Sequence, residues 1–162
     1  MDHQSPEQID KTLRGAAGEY LVLARLLEQG LLAAPAPRGV RKVDILVNFI
    51  DGGNPKLVQV KTTMGSAKRG WWLNKHHEEI VDDDLFYCFV DFGVPHGEVY
   101  VLPAEIVAET IKSDHAKWLA TPGKKGQPHK DTDGRRMRSE TFTKPDGWMD
   151  KYLENWSQLL LP

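Results

Sequence analysis

Cysteine is almost absent from this chain. The one thiol, Cys88, sits inside the apolar run LFYCFVDF. With no second cysteine there is no intramolecular disulfide, and nothing in the sequence calls for an oxidising compartment. A lone thiol in such a run reads as a buried, inert side chain rather than a nucleophile. Long hydrophobic runs are missing too. No stretch approaches the roughly 20 apolar residues that cross a bilayer. The opening MDHQSPEQID is polar and acidic, unlike a signal peptide. The expectation is a cytoplasmic protein with no membrane partner. Net charge is small: 21 Lys and Arg against 23 Asp and Glu leave −2. That excludes a uniformly basic nucleic-acid coat but not a local basic patch. Internal repeats and low-complexity tracts are also lacking.

What is there suits a single domain spanning residues 1–162, with 40% hydrophobic residues and enough length for a core. Ser5, Pro6 and Gln8 spell a helix start, with Ser5 as cap and Pro6 in the first turn. Ile9, Leu13, Ala16, Tyr20, Ala24, Leu27 and Leu31 then recur at helical spacing, and Gly30 reads as the stop. The small residues Gly15-Ala16-Ala17-Gly18 would let this helix approach a sheet or ligand closely, carrying Glu19 with them. Ala33 to Gly39 (AAPAPRG) reads as a Pro-rich connection.

The segment Val40 to Thr63 carries the strongest signal. Two β-rich runs, VRKVDILVNFI and PKLVQVKTT, flank DGGN. A hairpin turning on Gly52-Gly53 sets Leu46 opposite Gln59 and Asp44 opposite Lys61. Opposed residues of an antiparallel pair share a face, so a carboxylate, an amide and an ammonium meet. A one-residue slip would separate them. Carboxylate and amide oxygens suit a hard cation such as Mg²⁺, and an adjacent ammonium can polarise phosphate or water. A solvated hairpin face with a charge pair would show the same pattern.

Further along, Lys68 and Arg69 stand in a loop from Met64 to Gly70, before Trp71-Trp72-Leu73. Adjacent Trp residues on a strand point to opposite faces, which leaves one at a rim. Beside a basic loop such a ring is a stacking surface for bases, although core and edge packing is the commoner role. Asn74 to Val81 suggests a short helix on which His76 and His77 diverge, a poor metal pair. Leu85 to Phe92 and Glu98 to Leu102 read as strands of a second hairpin. Pro103 opens a helix to about Ile111.

From Lys112 to Lys144 nine basic residues face four acidic ones, a formal +5 in a chain of −2. The cations include Lys124, Lys125, Lys130, Arg135, Arg136 and Arg138, among glycines that favour loops. With Lys68 and Arg69 they are candidate contacts for a phosphate backbone; a solvated loop is the alternative. Trp148, Tyr152, Trp156, Leu159 and Leu160 mark a C-terminal helix whose stripe packs into the core.

Glu19 on a helix, Asp44 on one strand and Gln59-Val60-Lys61 on the next, in that order, resemble the PD-(D/E)XK nuclease superfamily. That superfamily is the restriction-endonuclease-like fold that includes Holliday-junction resolvases. The resemblance covers roughly Glu7 to Ile111. It implies an α/β three-layer sandwich with a central mixed sheet flanked by helices, and residues 112–162 as a basic C-terminal extension. It also implies Mg²⁺-dependent cleavage of DNA, with Mn²⁺ able to substitute. Asp44, Gln59, the Val60 carbonyl and Glu19 would be metal ligands, and Lys61 the catalytic cation. Gln59 departs from the acidic residue usual there and removes one charge from the site. Many enzymes of this fold are dimers, so a homodimer fits; RNA is not excluded as a substrate. A degenerate nuclease fold that binds nucleic acid or a protein without cutting is the alternative.

Overall fold

The computed structural model describes residues 10–37, 39–40, 42–65 and 67–160. The helix start expected at Ser5, Pro6 and Gln8 lies outside them. Helix α1 spans Lys11–Glu28, and Asp10 caps it by accepting a 2.7 Å hydrogen bond from the Thr12 N–H. Gly30, at φ +77°, stops it as expected. The strands are β1 (Leu32–Pro35), β2 (Ile45–Asn48), β3 (Lys56–Thr63), β4 (Trp71–Asn74), β5 (Leu85–Asp91), β6 (Glu98–Pro103) and β7 (Gly134–Met137). Helix α2 spans Ala104–Ala120.

The central sheet has the order β1-β2-β3-β5-β6. β3 and β5 run parallel, and every other neighbouring pair is antiparallel. The sheet is therefore mixed, with helix α1 on one face and α2 on the other. Val22 and Leu26 of α1 pack with Val58, Val60, Cys88 and Val90. Val107 and Ile111 of α2 pack with Tyr87, Phe89 and Leu102. Successive residues of β5 thus enter opposite cores, and the whole strand is buried. Cys88 is fully buried and its thiol pKa is pushed up by desolvation, as its inert role requires.

Several elements differ from expectation. The apolar positions Leu13, Tyr20 and Leu27 of α1 are 66%, 70% and 52% exposed. The buried stripe is Gly18, Val22 and Leu26 instead. Gly18 explains the rotation: a Cβ there would lie 1.9 Å from Thr62 Oγ1, so only glycine allows this approach to β3. The Pro-rich connection is partly edge strand β1, where Pro35 pairs with Ile45 and its missing N–H faces no neighbour. The first hairpin does not turn tightly on Gly52-Gly53. Residues 49–55 connect it, and Leu46 pairs with Leu57, two positions from the expected partner. A shift of two keeps the facing of β3 unchanged.

Residues 112–160 form no separate appendage. α2 runs nine residues past Ile111, and β7, unforeseen among the glycines, pairs with β4 as a two-stranded ribbon. The expected C-terminal helix is two 3-10 turns, Asp150–Tyr152 and Trp156–Leu160. They are broken because Leu153 bridges to Tyr100 and Glu154, at φ +47°, donates its N–H to the Val99 carbonyl. Tyr152 joins the α2 core while Trp156 and Leu159 join the α1 core, so the segment wraps the β6 edge. Among the described residues no helix is long and apolar enough to cross a membrane.

Gly18→Ala tests the close approach. An alanine in a helix interior ordinarily gains up to about 1 kcal/mol over glycine. Here overlap with Thr62 outweighs that gain, and a net loss of about 1–3 kcal/mol is expected in denaturant unfolding. Adding Thr62→Ala should recover part of it; a stabilised Gly18→Ala protein would show that α1 does not sit this close.

Candidate active site and nucleic-acid interface

The pairing of β2 with β3 ends at Ile45↔Val58, while β3 continues to Thr63. Beyond that point one edge of β3 has lost its partner strand. Asp44 stands at the break. Its N–H donates to the Val58 carbonyl on β3, and its carbonyl accepts from Ala36 N–H, next to β1. Bonding to opposite neighbours marks a bend there. The Asp44 carboxylate then takes the place of the missing strand: Oδ2 accepts the Val60 N–H at 2.7 Å. In an extended strand N–H and C=O of one residue point the same way, so the Val60 carbonyl faces this open edge too.

Gln59 and Lys61 flank Val60 on the other facing. Gln59 is 8% exposed, and its Oε1 is buried with no hydrogen-bond partner. An unsatisfied buried acceptor costs about 1–3 kcal/mol. Burial pulls the Lys61 pKa down from the ordinary lysine range, and the Asp44 carboxylate opposes this. Glu19 arrives on α1, one residue after the Gly18–Thr62 contact. Desolvation and then the Asp44 charge raise its pKa. Asp44 thus bonds Val60 and lies close enough to Glu19 and Lys61 for its charge to act on both, with Gln59 flanking Val60 on the same strand. Two mutually repelling carboxylates, an orphaned amide oxygen and an edge carbonyl form an all-oxygen donor set, which fits a hard cation. Among the described residues no three His, Cys, Asp or Glu side chains converge as a metal group.

Neighbouring residues are fixed around the site. His77 is buried and hydrogen-bonds Tyr87 Oη through Nδ1 at 2.7 Å. Burial and then the Lys61 charge push its pKa down to about 4, so it is neutral and structural. Asp91 accepts from Ala67 N–H and Gly93 N–H, both at 2.7 Å, and so anchors the loop that carries Arg69.

A cleft of about 800 Å³ leads away from Lys61, walled by Lys11, Arg14, Arg69, Arg136 and Trp72. No carboxylate lines it among the described residues. Lys11 and Arg14 were missed by sequence reasoning. Their spacing to Gly18 along α1 was the available signal, since it places them on the sheet-facing side. Trp71 is buried and Trp72 is 66% exposed, as alternation predicted, and the Arg136 guanidinium lies 4.0 Å over the Trp72 ring.

The remaining candidate cations are not brought there. Arg135, expected on a phosphate-binding loop, is 3% exposed; it pairs with Glu78 and donates to the Thr132 carbonyl at 2.6 Å. Arg138 is held by Asp114 at 3.0 Å. Arg135 is committed to the fold, while Arg138 is anchored by Asp114 and keeps its buried Nε without a partner. Lys68 pairs with Glu140 at 2.7 Å on the surface. Lys124, Lys125 and Lys130 are exposed on the connection after α2, away from the cleft lining.

No protein-family model matches this chain, and no curated protein matches it. Among solved structures it is similar to a bacterial homing endonuclease, I-Ssp6803I. The match has a TM-score of 0.58 and 14% sequence identity, and covers 94% of each chain. The likeness is one of fold, a mixed α/β fold shared over nearly the whole chain.

The raised Glu19 pKa, caused by burial first and the Asp44 charge second, has a pH signature. A carboxyl whose folded pKa is raised costs stability as pH climbs from its unfolded value of 4.5 through the folded one. In EDTA, the melting temperature of Glu19→Gln should gain on wild type as pH rises above the ordinary glutamate value of 4.5. Millimolar Mg²⁺ should then favour wild type. A gap that does not change with pH would show that neither burial nor the Asp44 charge acts on Glu19.

Proposed function

We propose that this protein is a metal-dependent deoxyribonuclease of the PD-(D/E)XK kind, in its QxK form. It would hydrolyse DNA phosphodiester bonds with structural or weak sequence preference. The observation that carries this reading is the Asp44 carboxylate bonded to Val60 N–H at the open edge of β3, with Lys61 under its charge and the unpartnered Gln59 Oε1 on the same strand. The likeness of fold to a homing endonuclease across nearly the whole chain supports it.

Asp44, Gln59, the Val60 carbonyl and Glu19 would hold Mg²⁺, with Mn²⁺ able to replace it. When bound, such an ion polarises a phosphoryl oxygen and lowers the pKa of a ligated water. The chain's own residues do the rest. The Val60 N–H fixes the Asp44 carboxylate, so the principal ligand is set before DNA arrives. Lys61 places a positive charge where negative charge grows on the phosphorane-like transition state, and its partial burial strengthens that interaction. Lys11, Arg14, Arg69 and Arg136 hold the phosphate backbone along the cleft. The shortage of carboxylates favours one rival, a degenerate module that binds DNA without cutting.

Cleavage of supercoiled, linear, single-stranded and branched DNA in Mg²⁺ and in Mn²⁺ separates the two. Cutting that disappears in Asp44→Ala is expected, and no cutting on any substrate would leave the binding module. Lys61→Ala should lower the rate by about 10²-fold or more, the scale of losing one electrostatic stabiliser, while DNA binding survives. Gln59→Glu should remain active and bind Mg²⁺ more tightly, measured calorimetrically; weaker Mg²⁺ binding would remove Gln59 from the ligand set.

A further inference from the structure

Beside the cleft lies a second cavity that the cleavage chemistry does not use. It lies half open between α2 and the β4–β7 ribbon and has a volume of about 270 Å³. Ile111, His115 and Trp118 of α2 wall one side, and Trp72, Gly134 and Arg136 of the ribbon wall the other. Trp72 and Arg136 also wall the cleft, so the two spaces meet at these residues. The cavity has room for a single nucleobase and is far too small for a duplex.

Its chemistry matches a nucleotide. Trp72 offers an exposed ring, with Arg136 stacked 4.0 Å from it and free of any ion pair among the described residues. Gly134 lies directly against that ring, where a Cβ would come within 3.2 Å of Trp72 Cζ3. On the opposite wall Trp118 is stacked on His129 at 4.0 Å. Arg138, also in the lining, has a buried Nε with no hydrogen-bond partner. A buried donor without an acceptor suits a base carbonyl, a ring nitrogen or a phosphate oxygen. Arg138 is also ion-paired with Asp114 of the same lining, which leaves Arg136 as the unpaired cation, and an aromatic ring beside a cation is how proteins take up unstacked bases.

We infer that this cavity receives one unpaired nucleotide of the DNA strand lying in the cleft, so that the protein selects DNA with unstacked bases. The inference rests on the deoxyribonuclease reading for the presence of DNA in the cleft. Bases already unpaired enter without the cost of breaking a stack, and a perfect duplex must meet that cost.

The test is fluorescence anisotropy in EDTA, where nothing is cut, with a perfect 20-base-pair duplex and the same duplex carrying one unpaired nucleotide. Wild type should bind the second about tenfold more tightly, the scale of one stacked base. Trp118→Leu opens the far wall and Thr132→Trp fills the cavity from its rim, while neither residue lines the cleft. Each should abolish the preference and leave duplex affinity unchanged, with thermal melting confirming the fold. 2-Aminopurine at the unpaired position should change its emission on binding wild type but not Thr132→Trp. Equal affinity for the two DNAs, or a preference that survives both variants, overturns the inference and leaves the nuclease reading standing. Failure to bind either DNA overturns both.

Discussion

One hydrogen bond organises the candidate site: the Val60 N–H donated to the Asp44 carboxylate. Where β2 stops, β3 is left with an amide that has no partner strand. A buried amide cannot stay unpaired cheaply. Asp44 supplies the acceptor with its side chain instead of its backbone, and in doing so turns its carboxylate toward the edge of β3. The Val60 carbonyl is directed to the same edge by strand geometry. The side chains on either side of Val60, Gln59 and Lys61, are then carried by a strand whose other edge is secured by β5 along seven paired positions. A ligand set on rigid elements is held more closely than one on loops.

The second constraint is the contact of Gly18 with Thr62. It decides which way α1 faces, and it overrides the apolar period of the helix. Leu13, Tyr20 and Leu27 are the most obvious hydrophobic stripe in that segment, yet they lie in solvent. Close backbone approach at a glycine gains packing along Val22 and Leu26, and the helix rotates to reach it. That rotation sets Glu19 near Asp44 and turns Lys11 and Arg14 toward the cleft. One residue without a side chain thus places an acidic group and two cations.

Much of the site was legible because strand facing depends only on parity. The hairpin paired two residues away from the expected register, yet Gln59 and Lys61 kept their common face and Asp44 remained at its end. Trp71 and Trp72 divided between core and surface for the same reason. What stayed hidden was long-range pairing. The four residues Gly134–Met137 have no strand signature of their own; they become β7 only because β4 is there to pair with them. The C-terminal stripe identified residues that are buried, but the period of a helix could not reveal that Leu153 and Glu154 would pair with β6 and break it. Local pattern reports which side chains leave water, and tertiary pairing decides the backbone they leave it on.

The arginines show how the same distinction governs function. A formal excess of cations between Lys112 and Lys144 suggested a broad phosphate-binding loop, but counting charges ignores where each is spent. Once β7 pairs with β4, alternate residues turn inward, and Arg135 and Met137 are buried. A buried guanidinium requires a partner, which Glu78 provides for Arg135; Asp114 takes Arg138 in the same way at a less buried position. Arg136, on the outward side of the ribbon, has no such demand on it and remains available. It stands beside Trp72 where the basic cleft and the aromatic cavity meet. A protein with almost no net charge can therefore present a concentrated cationic groove, because Glu78 and Asp114 neutralise cations that build the fold while no carboxylate among the described residues lines the cleft.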